Sequence, residues 1–272
     1  MIRLGICTSI DHAPILREIG YDYLELNMTQ VAQMSEAAYA GLHAAVQSSP
    51  LPVEAMNSMI PAEYPLCGPE GTGERVRAYL QTAFSRAQTL GVQVVVFGSG
   101  GARRLPEGMT QAQGYAYLAA YLALAGRMAQ DYGLSIAIEP LRAQECNILH
   151  HVAEAQYLAS RVGLPNVGAL ADLYHMMSGG EDCTAVERGI LHAHIAERVQ
   201  RAYPRQGDGS EPEYEALFPR APRGRLRRPR QHRGELRRLC RGRPRRLRAA
   251  EHLSLIETER TTEYESLSGG GH

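Results

Sequence analysis

Seven short apolar runs in the first two hundred residues are separated by helical patterns, and few folds accept such a repeat. The candidate strands are 3–7, 23–27, 53–57, 93–98, 134–139, 166–172 and 191–195. Most are rich in Val, Ile or Leu at successive positions, as strands covered on both faces should be. Helical patterns separate them at 13–18, 34–47, 74–90, 111–132, 152–162 and 183–188. Gly20, Gly91, Gly133 and Gly163 follow helices, where a residue without Cβ accepts a left-handed cap at least cost. The repeat predicts a parallel α/β sheet. A (β/α)8 barrel typically takes about 250 residues, so a chain of 272 residues predicts one barrel.

Three consecutive runs end on a metal-ligand residue type. Ile136-Ala137-Ile138 stops on Glu139, Val167 to Ala171 stops on Asp172, and Ile190-Leu191-His192-Ala193 stops on His194. A barrel gathers strand C-terminal ends on one face, and carboxylate, carboxylate and imidazole form a divalent-cation set. Each residue has a plainer use. Glu139 could pair with Arg142, Asp172 could cap the helix that follows it, and His194 could be a satisfied core histidine. Three coincidences on neighbouring strand ends favour the cation. That reading requires the donor atoms within roughly 6 Å of one another, since such bonds are about 2 Å long. His192 and His194 are read as pointing to opposite faces, with only His194 entering the site.

The apolar share is 44%, and no run approaches the roughly 20 apolar residues of a membrane span. Met1-Ile2-Arg3-Leu4-Gly5 lacks the pattern of a secretory signal, so a cytoplasmic protein with no membrane partner is expected. Five cysteines without a CxxC pair suggest free thiols rather than a disulfide framework or a thiolate zinc site.

The zero net charge hides an uneven distribution. All 29 basic residues are arginine, and 14 of them fall between Arg220 and Arg248. That stretch has no strand-like run and contains Pro222, Pro229 and Pro244, so it predicts neither a buried helix nor a strand. A nucleic-acid arm, a disordered extension and an out-of-frame translation compete to explain it. The last is preferred. Arg230-Gln231-His232-Arg233-Gly234 can be written CGT CAG CAT CGA GGC, which moved on by one base reads Val-Ser-Ile-Glu followed by an alanine codon. Residues 220–226 can likewise be respelled Ala-Leu-Arg-Ala-Ala-Gly-Tyr, a helix end before that strand. The sequence thus predicts a barrel domain at 1–218 and an Arg-rich tail at 219–272 in place of the eighth strand and last helix. A barrel lacking its closing strand would keep two open edges and fold poorly.

The ordered motifs Ile138-Glu139-Pro140-Leu141 with Glu145, Asp172-Leu173-Tyr174-His175, and His192-Ala193-His194-Ile195-Ala196-Glu197 with Arg201 resemble the xylose isomerase-like sugar phosphate isomerase/epimerase superfamily. The resemblance covers about residues 1 to 218. It implies one divalent ion, Mn, Mg, Co or Zn, held by Glu139, Asp172, His194 and a last-strand glutamate with no counterpart here. Glu139 would also be one of two acid/base residues that move a proton beside a sugar carbonyl through a metal-stabilised enediolate. Glu145, His175 and Arg201 would bind substrate. Arg142 stands where relatives often carry Asn, a departure that bears on hydroxyl recognition. Relatives are often oligomeric, so a homo-oligomer is an expectation of the same kind.

Phe97-Gly98-Ser99-Gly100-Gly101-Ala102-Arg103-Arg104 could be a loop that needs glycine for its backbone, or one that meets a substrate phosphate or hydroxyl. Glu25, Asn27, Asn57 and Ser58 are expected at the barrel mouth without an assigned role. The reading favours a metal-dependent isomerase or epimerase of a small sugar or sugar phosphate. Its competitors are an inosose-dehydratase-like lyase, a chain inactive through loss of the last strand, and an abasic-DNA endonuclease, for which the first four strands offer too few zinc ligands. No nucleic-acid partner is expected.

Overall fold

The computed structural model describes residues 3–181 and 190–194. Seven strands lie in one parallel sheet in sequence order: β1 (Gly5–Cys7), β2 (Tyr23–Asn27), β3 (Val53–Asn57), β4 (Val94–Phe97), β5 (Ser135–Ile138), β6 (Val167–Asp172) and β7 (His192–His194). The helices are α1 (Ala13–Ile19), α2 (Met28–Gln33), α3 (Glu36–Gln47), α4 (Glu74–Thr89), α5 (Gln111–Asp131), α6 (Val152–Val162) and α7 (Leu173–Ser178). This is the curled α/β sheet of a TIM barrel. Among the described residues β1 pairs only with β2 and β7 only with β6. The expected helix 183–188, Ile195, Arg201, the eighth strand and the Arg-rich tail lie outside the described residues.

One helix boundary needs correction. The helix expected at 34–47 starts at Glu36, because Met34 is extended and Ser35 caps the start by accepting from the Ala38 N–H. The run before it, Met28–Gln33, is a separate helix capped by Asn27. Helix ends otherwise follow local chemistry. Thr110 and Gln113 form a reciprocal capping box at the start of α5, and Gly20, Gly91, Gly133 and Gly163 all have positive φ.

Parity along the strands explains what faces the barrel interior. Val95, Phe97, Ile136, Ile138, Val167 and Ala169 belong to the large core between sheet and helices. The alternate residues Val96, Ala137 and Leu170 form a small separate cluster with Val94 and Leu191, as strand side chains must alternate. Continuing that inner parity past Ala137 reaches Glu139, and past Leu170 reaches Asp172. On β2, Leu24 and Leu26 join the outer core, which leaves Glu25 on the inner side. Gly5 on β1 gives up its Cβ to the Tyr23 ring, 2.1 Å from where that atom would stand.

Candidate metal centre

Inner parity within β2 and at the C-terminal ends of β5, β6 and β7 assembles one polar cluster. Glu139, Asp172 and His194 present donor atoms within 4.8 Å of one another. His194 Nδ1 lies 2.9 Å from Glu139 Oε1 and 3.4 Å from Asp172 Oδ2. The register that pairs Asp172 with His194 across β6 and β7 sets the second contact. Asp172 does two things at once. Its Oδ1 accepts the His175 N–H at 3.1 Å and caps α7, while Oδ2 turns to His194. The plainer use and the site use therefore coexist on two oxygens of one carboxylate.

Glu25 completes the cluster from the opposite wall, and sequence reasoning gave it no role. It is 3% exposed, lies 3.2 Å from His192 Nε2, and also faces His194 Nε2 at 3.2 Å. The available signal was parity: a charge between two outward leucines must point into the barrel. The same rule corrects the reading of His192 and His194. Residues two apart on a strand share a face, and both rings reach Glu25 with their centroids 5.2 Å apart. Desolvation alone would raise the Glu25 carboxyl, but the charge on His194 and hydrogen bonds from both imidazoles hold it well below the usual range. Desolvation would likewise lower His194. The Glu25 charge and bonds to Asp172, Glu139 and Glu25 instead push it well above the usual imidazole value.

Three buried carboxylates around two imidazoles leave an excess of negative charge. Glu25 Oε1 is also buried without a well-formed hydrogen bond. A divalent cation fits that surplus, and oxygen, oxygen and nitrogen donors suit Mg, Mn, Co or Zn. Glu139, Asp172 and His194 are the residues that could hold it.

Arg142 does not pair with Glu139. Its Nε bonds Glu145 at 2.6 Å, its guanidinium lies 4.9 Å from the centre of the Tyr174 ring, and its backbone N–H donates to His175 Nδ1. The last contact makes His175 Nδ1 an acceptor and places the ring proton on Nε2. Glu145 and Arg142 are about one-third exposed at the rim, whereas His175 is buried.

The glycine-rich turn after β4 serves close approach. A Cβ on Gly98 would stand 2.2 Å from Glu139 Oε2, and one on Gly101 would stand 2.7 Å from Ala62. Arg103 meets no substrate phosphate, because it is fully buried and donates to the Phe97 and Glu139 carbonyls at 3.2 and 2.8 Å. Arg104 donates to the Glu145 carbonyl. Cys7, Cys67 and Cys146 are free thiols.

The family model for the xylose isomerase-like TIM barrel matches residues 14–220. The chain belongs to that family. Similar solved structures include a D-psicose 3-epimerase determined in the presence of D-fructose, with 17% identity, a TM-score of 0.66 and 79% of each chain covered. A family 2 AP endonuclease from Brucella melitensis shares 20% identity at a TM-score of 0.62, over 80% of this chain and 87% of its own. The IOLI protein with a binding zinc atom shares 16% identity at a TM-score of 0.52, over 69% of each chain. At these identities the likeness is one of fold. No curated protein matches the chain in sequence. No described helix is long and apolar enough to cross a membrane.

Proposed function

We propose that the protein is a divalent-metal-dependent isomerase or epimerase of a small sugar or sugar phosphate. The observation that carries this reading is the convergence of Glu139, Asp172 and His194 donors within 4.8 Å on successive strand ends of a barrel. D-Psicose 3-epimerase, solved in the presence of D-fructose, and a zinc-binding protein share that barrel, which supports the sugar and the metal. The bound ion supplies positive charge that stabilises the enediolate formed when the proton next to a carbonyl is removed.

The chain's own residues divide the remaining work. Glu139 removes the proton and, in an aldose–ketose isomerisation, returns it to the neighbouring carbon on the same face. Epimerisation needs a second acid/base on the opposite face, the last-strand glutamate that has no counterpart in this sequence. Its carboxylate sits over Gly98, which leaves it room, and its backbone carbonyl is clamped by Arg103. Asp172 holds its angle because one oxygen is committed to the helix cap. His175, with its proton on Nε2, and the Glu145–Arg142 pair offer a donor and charges to substrate hydroxyls or a phosphate. Arg201 belongs to the same binding set in this proposal. The barrel domain is assigned to 1–218 and the Arg-rich tail to 219–272. A second reading, an inactive binding shell, draws on the unpaired outer edges of β1 and β7 among the described residues.

Proton NMR in deuterium oxide tests the activity. Incubation with Mn2+ and a panel of ketohexoses and their phosphates should exchange the hydrogen beside the carbonyl for deuterium and yield an epimer or aldose. A chelator or Glu139→Gln should abolish both. Exchange with loss of water identifies the lyase. No exchange with any sugar, by this chain or by one with the reading frame restored, contradicts the proposal.

A further inference from the structure

We propose that Glu25 is a positioning residue that fixes which ring nitrogen of His194 meets the cation; the inference rests on the metal-dependent reading above. The His194 ring stands between two sets of carboxylates. Nδ1 faces Glu139 and Asp172 at 2.9 and 3.4 Å, whereas Nε2 faces Glu25 at 3.2 Å. A neutral imidazole carries one proton and one lone pair. A buried carboxylate opposite Nε2 keeps the proton there and turns the lone pair of Nδ1 toward Glu139 and Asp172. Such an outer partner orients a ligating histidine and raises its basicity.

The fold places Glu25 for this use. It comes from β2, at the inward parity position paired with Cys7, and reaches across to β7, 169 residues away in the chain. His192 Nε2 holds Glu25 Oε2 at 3.2 Å, so the carboxylate is itself fixed from a second side. The His194 ring separates Glu25 from the other two carboxylates, so that Glu25 acts through the imidazole. Cys7, Glu25 and His194 could form a cation group of their own, with donor atoms within 4.8 Å. That arrangement must use Nε2 as the ligand, and so it predicts the opposite tautomer.

Cadmium-113 and nitrogen-15 NMR on the intact chain separates the two. With one equivalent of 113Cd2+, the expected result is metal coupling to His194 Nδ1, a proton on Nε2 and saturation at one ion per chain. In chelator competition, Glu25→Ala should bind Zn2+ about 10- to 100-fold more weakly, as loss of an outer-shell partner does. Glu25→Gln, which retains an acceptor, should recover part of that loss. Coupling to Nε2, two ions per chain, or unchanged affinity and tautomer in Glu25→Ala overturns the role. If wild type binds no ion, the metal-dependent reading falls, and this inference with it. If wild type binds one ion through Nδ1 and Glu25→Ala binds it equally well, only the positioning role fails. The wild-type spectrum decides the tautomer even if Glu25→Ala does not fold.

Discussion

Two groups of polar side chains lie side by side at the mouth of this barrel, the first with buried Arg103 among exposed neighbours, and they spend their hydrogen bonds differently. In the loops after β4 and β5, the polar groups bond to backbone. Arg103 serves the Phe97 and Glu139 carbonyls, Arg104 the Glu145 carbonyl, Gln111 the Asn147 carbonyl, and Asn147 exchanges two bonds with Leu105. Within β2 and at the ends of β5, β6 and β7, Glu25, Glu139, Asp172, His192 and His194 face mostly one another. A buried charge satisfied by carbonyls locks the chain. A cluster of like charges with imidazoles between them is costly to the fold and suited to a cation. The first group is built to hold the second in place.

Substitutions at the junction should separate stability from chemistry. The largest effect is expected from Glu139→Gln, which should lower turnover about 10²- to 10⁴-fold, the usual worth of a general acid/base, with a melting curve close to wild type. Arg103→Ala should do the reverse of a site mutation. It strands buried carbonyls, each worth about 1–3 kcal/mol, and should cost about 3–5 kcal/mol in urea unfolding. Arg103→Lys should restore little, since a single ammonium cannot reproduce the guanidinium fork. If Arg103→Ala is as stable as wild type, the division between the two groups is wrong.

Asp172→Asn sharpens the contrast within one residue. Asn caps helices as well as Asp, so stability should change by less than about 0.5 kcal/mol while metal affinity falls at least tenfold by chelator competition. Gly98→Ala should displace only the Glu139 carboxylate, which lies 2.2 Å from the new methyl. Turnover should drop about 10- to 100-fold, as small misplacements of a reacting group do, with little loss of melting temperature. Glu145→Gln is expected to be the mildest. Its ion pair with Arg142 is about one-third exposed and worth at most about 1 kcal/mol, so KM should rise severalfold with kcat nearly unchanged.

The βα repeat was legible because strands buried on both faces must be continuously apolar, and the sheet follows that order. Glu139, Asp172 and His194 could be named because each ends such a run. Glu25 was harder to assign, since it lies within β2, and only strict parity between Leu24 and Leu26 shows that it faces inward. His192 was misdirected for the same reason, although the two-residue period already contained the answer. For the turn that carries Arg103, a backbone role and an anion contact both stood open, because glycines surround the arginine. Its burial depends on where the next strand's loop lies, a distant contact no local pattern carries. Helix α2 was missed because six residues are too few for a periodicity to emerge.

Anomalous diffraction from crystals grown with Mn2+ tests the central claim most directly. The account predicts one peak per chain, about 2.0–2.2 Å from a Glu139 oxygen, an Asp172 oxygen and His194 Nδ1, distances typical of such ligands. A peak between Cys7 and Glu25, or none at the mouth of the barrel, would contradict it.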